Sequence, residues 1–252
     1  MYNSRKLKAG SLIFSSFFLF SCSTNYRVVK SNRAEYAVTN DVTVDSTVIR
    51  YVQPYKLKLD SQMNAVLGYS DVALTKTPTG GESLLGNFFS DAVLFEARKI
   101  DPKIDFTMPS GNGGMRNDLP LGAITLSNIF ELMPFENELI SFEIKGEDVQ
   151  SLLDFIARTG GQPVSGIKMR IVKKKPADVL INGEPFDVTR NYRVLTSDYI
   201  AGGGDNITSF KNPIETKVLG LKIRDALIMY IKEKQAAKEK ISSKLEGRMS
   251  YD

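Results

Sequence analysis

Apolar positions along the chain repeat with two periods, and each period marks a set of elements. Between Glu82 and Lys99, the residues Leu84, Leu85, Phe88, Phe89, Ala92, Val93, Phe95 and Ala97 leave little polar surface, which predicts a helix buried on most sides. Val149, Leu152, Leu153 and Ile156 keep helical spacing within Glu147–Arg158. Ile223, Ala226, Leu227, Tyr230 and Ile231 do the same in a final helix starting near Leu221. Val48, Val52, Tyr55, Leu59 and Met63 recur at three- and four-residue steps, an amphipathic helix that Pro54 should kink or break. A short helix is expected over Asn128–Met133. Strand patterns fall at Val66–Ser70, at Ile104, Phe106 and Met108, at Leu139–Ile144 and at Tyr192–Thr196. Ile167–Val172, Val179–Ile181 and Glu184–Val188 read as hairpin strands, the last two joined by the turn signal Asn182-Gly183. Lys173-Lys174-Lys175 is expected on an exposed edge, and one short strand near Val42–Val44. Strands and helices alternate without a regular βαβ rhythm, so the fold class is mixed α/β or α+β.

Length and charge narrow the partners. The chain has 252 residues, 42% hydrophobic and 25% charged, enough for a packed core. Of its 33 cations, Arg5, Lys6 and Lys8 sit in the first 21 residues, which hold no acid, leaving 30 cations against 29 anions in the remainder. That near-neutral balance gives no electrostatic case for nucleic-acid binding. There is no histidine and one cysteine. A Ser-His-Asp triad, a Cys-His pair, His-ligated metals and intrachain disulfides are therefore excluded within these residues.

The positive start, the apolar run Leu12–Phe20 and the ending Leu19-Phe20-Ser21-Cys22 resemble a bacterial lipoprotein signal. The resemblance implies that Cys22 is lipidated after removal of the preceding residues, placing the chain in the cell envelope as a periplasmic or outer-membrane lipoprotein. The expected organisation is a signal peptide over 1–22, a polar linker over 23–46 and one domain over 47–252.

Three loops carry the candidate chemistry. Ser110-Gly-Asn-Gly-Gly-Met-Arg-Asn-Asp-Leu119 follows a strand with three glycines in four positions, then Arg116, whose fork suits a carboxylate or phosphate. Pro134-Phe-Glu-Asn137 puts an aromatic ring at a helix end. Ser197-Asp-Tyr-Ile-Ala-Gly-Gly-Gly-Asp205 puts another at a strand end, before three glycines and an acid. Each has a plain structural reading: a surface ion pair, a core ring, a turn. Together they supply what a nucleoside pocket needs. Rings stack on a base, an amide reads its edge, an acid accepts from ribose hydroxyls and an arginine takes phosphate.

Leu85-Gly-Asn-Phe-Phe-Ser-Asp-Ala92, Gly113-Gly-Met-Arg116 with Leu119-Pro-Leu-Gly-Ala-Ile-Thr125, Pro134-Phe-Glu-Asn137 and Asp198-Tyr-Ile-Ala-Gly-Gly-Gly-Asp205 occur in that order. They resemble the C-terminal, substrate-binding domain of the 5′-nucleotidases over roughly Val48 to Met249. The resemblance implies an α/β/β/α-type domain with a mixed sheet. It implies Phe135 and Tyr199 as the clamp on the base, Asp205 as the ribose-binding acid and Arg116 as the phosphate-binding arginine. Asn137 and Asn112 follow as further binding residues, with Gly160 or Gly161 at the pocket loop. Tyrosine stands at 199 where phenylalanine is usual. The order Gly111-Asn112 departs from the family's Asn followed by a small residue, and Thr77-Pro-Thr-Gly-Gly81 lacks the family's cation before the acid at Glu82.

In two-domain relatives a metallophosphatase domain binds two metals. These 252 residues leave no room for it and hold no histidine, so the chain is expected to carry the substrate domain alone, with no metal or other cofactor of its own. Two functions follow. One is the nucleotide-recognition half of a phosphoester hydrolase, served by a separately encoded metallophosphatase partner that supplies the divalent metals. The other is a non-enzymatic envelope lipoprotein that binds nucleosides or nucleotides.

Overall fold

The computed structural model of the chain describes residues 27–28, 30–39 and 41–251. The expected signal peptide and Cys22 lie outside them. The chain divides into two units, Met1–Ile49 and Arg50–Asp252. In the first, Val42–Val44 forms no strand: Val42 lies in a bend, Thr43 and Val44 have no regular structure, and both valines are exposed. An edge strand needs a neighbour to supply its hydrogen bonds, and no strand among the described residues pairs with this stretch.

Helix α1, Ser46–Met63, continues through Pro54 without the break that residue could have caused, and buries none of its residues. Strand β1, Val66–Ser70, follows. Ser83 then caps helix α2, Leu84–Arg98, its hydroxyl accepting from the Gly86 amide at 3.0 Å. Eleven of the fifteen α2 residues are buried, as its dense apolar pattern requires. Strand β2 is only Phe106–Thr107, and both residues are fully buried. Strand β3, Gly122–Thr125, ends at a reciprocal cap, Thr125 with Asn128, that starts helix α3, Leu126–Leu132.

Strand β4, Glu138–Lys145, leads directly into helix α4, Gly146–Arg158. Glu147 and Asp148 open α4 and Arg158 closes it, each matching the helix dipole. Strands β5, Ile167–Val172, and β6, Lys175–Ile181, form a hairpin, continued by β7, Glu184–Pro185. Lys173 and Lys174 are therefore not an edge. They are the two turn residues of that hairpin, both at positive φ. Strand β8, Asn191–Ser197, is buried along all but its first residue. It runs into a single helical turn, α5, Asp198–Ala201.

Strand β9, Glu215–Lys222, occupies residues just ahead of the last helix, so that α6 spans Ile223–Ala236. The charged tail returns to the body of the protein as strand β10, Met249–Tyr251, parallel to β5. Glu82 fixes this return by accepting from the amides of Glu246 and Gly247 and from the Asn87 side chain. Asp91 does likewise through a two-pronged bond with Arg248. Asn87 and Asp91 thus hold residues more than 150 positions away.

The sheets are β1-β3, β10-β5-β6-β7 and β2-β8-β4-β9, the last two of mixed strand direction. In the last, β2 lies parallel to β8 while β4 is antiparallel to both β8 and β9. Alternation puts one face of this sheet into each of two cores. Leu139 and Leu195 join α2, α3 and α6 on one side. Phe142, Ile144, Tyr192 and Val194 join α4 and β5 on the other. Arg193 lies on the first face, holding Asp101 at 3.0 Å, and Ser141 donates to the same carboxylate at 2.6 Å. This is the mixed α/β architecture that the sequence pattern implies.

Candidate functional site

The loops after β2, α3 and β8 converge on one cavity of about 350 Å³, within the range of small-molecule sites. Ser110, Gly113, Gly114, Arg116, Phe135, Asn137, Tyr199 and Asp205 line it. Three separate stretches of sequence supply these residues.

The first is the glycine stretch after β2. It makes one 3₁₀ turn, Asn112–Gly114, closed by the Gly114 amide donating to Gly111 O at 2.9 Å. A Cβ at Gly114 would overlap the Ser110 hydroxyl in its present rotamer, so glycine there leaves that hydroxyl its place. Met115 then plugs into the core and the Arg116 amide donates to Leu132 O at 2.9 Å. Lys76 Nζ donates to Arg116 O at 2.8 Å. The arginine backbone is fixed from both sides while its guanidinium stays exposed, 5.0 Å from the centre of the Phe135 ring.

The second is the segment after α3. Arg224 pairs with Glu136 and donates to the carbonyls of Met133 and Phe135, each at 3.4 Å. Arg224 is nearly buried, so this clamp sets where Phe135 emerges, and the ring is left 37% exposed. Asn137 donates through Nδ2 to Asp198 at 2.9 Å.

The third begins at α5. Asp198 accepts from both Asn137 and the Tyr199 amide, so it ties the second stretch to the third. Tyr199 is 52% exposed, a high value for a ring held at a helical turn. A Cβ on Gly204 would lie 2.5 Å from that ring, so a larger residue there would push the ring out of its present position. Gly203 and Asp205 take left-handed backbone, with φ of 94° and 54°. The Asp205 carboxylate accepts from Tyr199 OH at 3.2 Å and lies so close to Gly111 that any side chain at 111 would meet it.

The site therefore has two half-exposed rings, one cation and one anion around a single space. Such an arrangement can stack a planar group, accept hydroxyl hydrogen bonds at Asp205 and meet an anion at Arg116. Of the eight residues singled out in sequence, the structure brings five to this cavity: Arg116, Phe135, Asn137, Tyr199 and Asp205. Asn112, Gly160 and Gly161 are not among its lining residues. Asn112 instead donates from Nδ2 to Gly161 O at 3.0 Å and from its amide to Gln162 Oε1 at 2.9 Å. Gly160 O accepts from Tyr251 OH at 2.6 Å, and Gly161 packs on Gly81, too close for any Cβ. Asn112 thus joins the glycine stretch to the loop after α4, while Gly160 and Gly161 hold that loop against Tyr251 and Gly81. Ser110, Asp198 and Lys76 were not singled out. The signal for Asp198 was available, since an acid just after a capping serine commonly accepts from nearby amides.

A family model described as the 5′-nucleotidase C-terminal domain matches residues 66–212, more than half of the chain and including all five cavity residues named above. The cell wall protein Lmo0130 of Listeria monocytogenes is 26% identical over 84% of this chain and 30% of its own length. The trifunctional nucleotide phosphoesterase protein YfkN of Bacillus subtilis is 26% identical over 87% of this chain and 16% of its own. Among solved structures, a 5′-nucleotidase precursor from Thermus thermophilus superposes with a TM-score of 0.68 at 25% identity, covering 81% of this chain and 42% of that one. The chain thus spans less than half the length of each of these relatives. Its ordered motifs, its mixed sheets and the matched residues place it in the 5′-nucleotidase C-terminal domain family.

Proposed function

We propose that this chain is the substrate-recognition part of a 5′-nucleotidase-type phosphoester hydrolase, binding a nucleoside or nucleotide in the 350 Å³ cavity. The observation that carries the reading is the pairing of two half-exposed rings, Phe135 and Tyr199, with Arg116 and Asp205 on one space. The base stacks between the rings, at roughly 1–3 kcal/mol per base. Asp205 accepts from the ribose hydroxyls, Asn137 lies within the same wall, and Arg116 meets the phosphate. Hydrolysis then falls to a metallophosphatase that carries two divalent metals, activates water and stabilises the in-line displacement. Two of the relatives, a nucleotide phosphoesterase and a 5′-nucleotidase, support the substrate class. The cell wall relative supports an envelope location. Within the same proposal, residues 1–22 form a lipoprotein signal, Cys22 carries the lipid, 23–46 form a linker and 47–252 the binding domain.

The alternative, a nucleoside-binding lipoprotein without catalysis, is favoured by one observation. Arg116 is the sole cation lining the cavity among the described residues, and the loop 77–81 adds none. A phosphoester hydrolysis assay separates the readings. The full chain with magnesium, manganese or zinc should release no phosphate from AMP. Adding the metallophosphatase part of a longer relative should give turnover that depends on Phe135 and Tyr199. Turnover by the pure chain alone would refute the recognition-only role, and none in the mixture would favour the non-catalytic binder.

A further inference from the structure

A second cavity, of about 580 Å³, opens on the far side of the loop that follows α4. Arg158, Lys173 and Lys174 line it together with Gly160, Ile171 and Tyr251. Among the described residues no carboxylate lines it, and none of the three cations makes an ion pair. The Arg158 guanidinium lies 5.8 Å from the centre of the Phe155 ring. Ala157, Ile171 and Val172 supply apolar wall, the Thr159 hydroxyl donates to Phe155 O at 2.9 Å, and the Tyr251 hydroxyl is committed to Gly160 O.

The lysines stand out for their backbone. Lys173 and Lys174 are the two residues of the β5–β6 turn, at φ of 49° and 62°. A two-residue turn with both φ positive is the place for Asn-Gly, because side chains with a Cβ are strained in left-handed backbone. The chain uses Asn182-Gly183 at its very next turn. Two lysines at the first turn therefore cost stability for which the hairpin itself gives no return. Strain of this kind collects at ligand sites.

We propose that Arg158, Lys173 and Lys174 form an anion site, separate from the nucleoside cavity, that takes a phosphate-bearing group with its apolar part against Ile171. The phosphate belongs either to a small soluble compound or to the headgroup of an anionic phospholipid, and the chemistry of recognition is the same. Three cations around a space that no acid among the described residues lines attract either.

The test uses the full chain and the replacement Lys173→Asn with Lys174→Gly. If the lysines only make the turn, this variant is at least as stable as the wild type and nothing else changes. The proposal expects equal or higher thermal stability together with loss of anion binding. Replacing chloride by inorganic phosphate at constant ionic strength should raise the melting temperature of the wild type in a saturable way. The rise should persist in Arg116→Gln, which removes the cation of the other cavity, and vanish in the double variant. In a second arm, vesicles of phosphatidylglycerol in phosphatidylcholine should retain the wild type better than the double variant by about fivefold per lysine, or about 30-fold, while pure phosphatidylcholine should not discriminate. A phosphate response assigns the site to a soluble ligand, and a vesicle effect alone assigns it to the headgroup. Arg158→Gln leaves the turn untouched and must weaken the same response. If neither arm distinguishes the wild type from these variants, the proposal is overturned.

Discussion

Gly111 sits where a single methyl should separate ligand binding from stability. Its φ of −74° and ψ of 168° suit any residue, so alanine there meets no backbone penalty. The obstacle is Asp205. A Cβ on Gly111 would overlap Oδ2 of that carboxylate, while Cγ at 3.5 Å and Gln162 Oε1 at 3.6 Å would remain in ordinary contact. The carboxylate must therefore turn away by roughly 1 Å to regain van der Waals distance. That motion breaks its 3.2 Å bond from Tyr199 OH and misdirects the acceptor offered to a ribose. A hydrogen bond to a charged group contributes about 1.5–3 kcal/mol, so Gly111→Ala should weaken adenosine binding by roughly 10- to 150-fold. Stability should hold or rise by up to about 1 kcal/mol, since Gly→Ala at a permissive backbone restricts the unfolded chain. Calorimetric titration and thermal denaturation of the same variant read both quantities. Asp205→Ala should show a similar binding loss, and the double variant should lose little more because both act through one carboxylate. A ligand lacking the ribose hydroxyls, 2′,3′-dideoxyadenosine, should bind wild type and Gly111→Ala alike. Unchanged adenosine affinity in Gly111→Ala, or equal losses for both ligands, would refute this reasoning.

Other expectations concern the frame that holds the site. Arg193→Met leaves the buried Asp101 carboxylate without its ion pair and should cost about 3 kcal/mol in urea denaturation at pH 7; a loss below about 1 kcal/mol would contradict the role given to that pair. Burial pushes the Asp101 carboxyl up, but the hydrogen bonds from Ser141 and Arg193 outweigh it and hold the carboxyl below its ordinary value of 3.8. Because the folded-state value is the lower one, this stabilisation is complete above about pH 4 and fades as the pH falls further. The gap between wild type and Arg193→Met should therefore narrow as the pH falls below about 4, and a gap that stays constant would argue against it. Gly146→Ala puts a methyl into the backbone carbonyls of Val188 and Arg190 at the start of α4, where nothing flexible can yield. It should cost about 2–3 kcal/mol, measured by the denaturation midpoint.

Much of this architecture is legible in the order of residues. Helices α2 and α4 and strands β4 and β8 follow from apolar periodicity because tertiary packing uses the same faces that the pattern marks. The cavity residues were legible through motifs rather than periodicity, since Phe135 and Tyr199 are rings that the fold leaves half in solvent. What escaped depends on contacts distant in sequence. Strand β9 buries only Leu219 and Leu221 among eight residues, so it carries almost no alternating signal. Strand β10 sits in a charged tail whose buried partner, Arg248, looks like a surface cation until Asp91 is seen beside it. Lys173 and Lys174 hide a turn because the sequence lacks the glycine that such a turn favours. Asn112, Gly160 and Gly161 have the residue types of a binding loop yet spend their hydrogen bonds and close contacts on one another and on Gly81, Gln162 and Tyr251.

The central claim is that Phe135 and Tyr199 hold a base between them. Calorimetric titration of the full chain with adenosine, AMP and a UDP-sugar, repeated for Phe135→Ala and Tyr199→Ala, tests it most directly. Both rings are well exposed, so neither change should unfold the protein. The account predicts saturable binding of at least one ligand by the wild type, weakened roughly 5- to 150-fold by either substitution. Binding that survives both substitutions unchanged, or no binding of any of the three ligands, would contradict it.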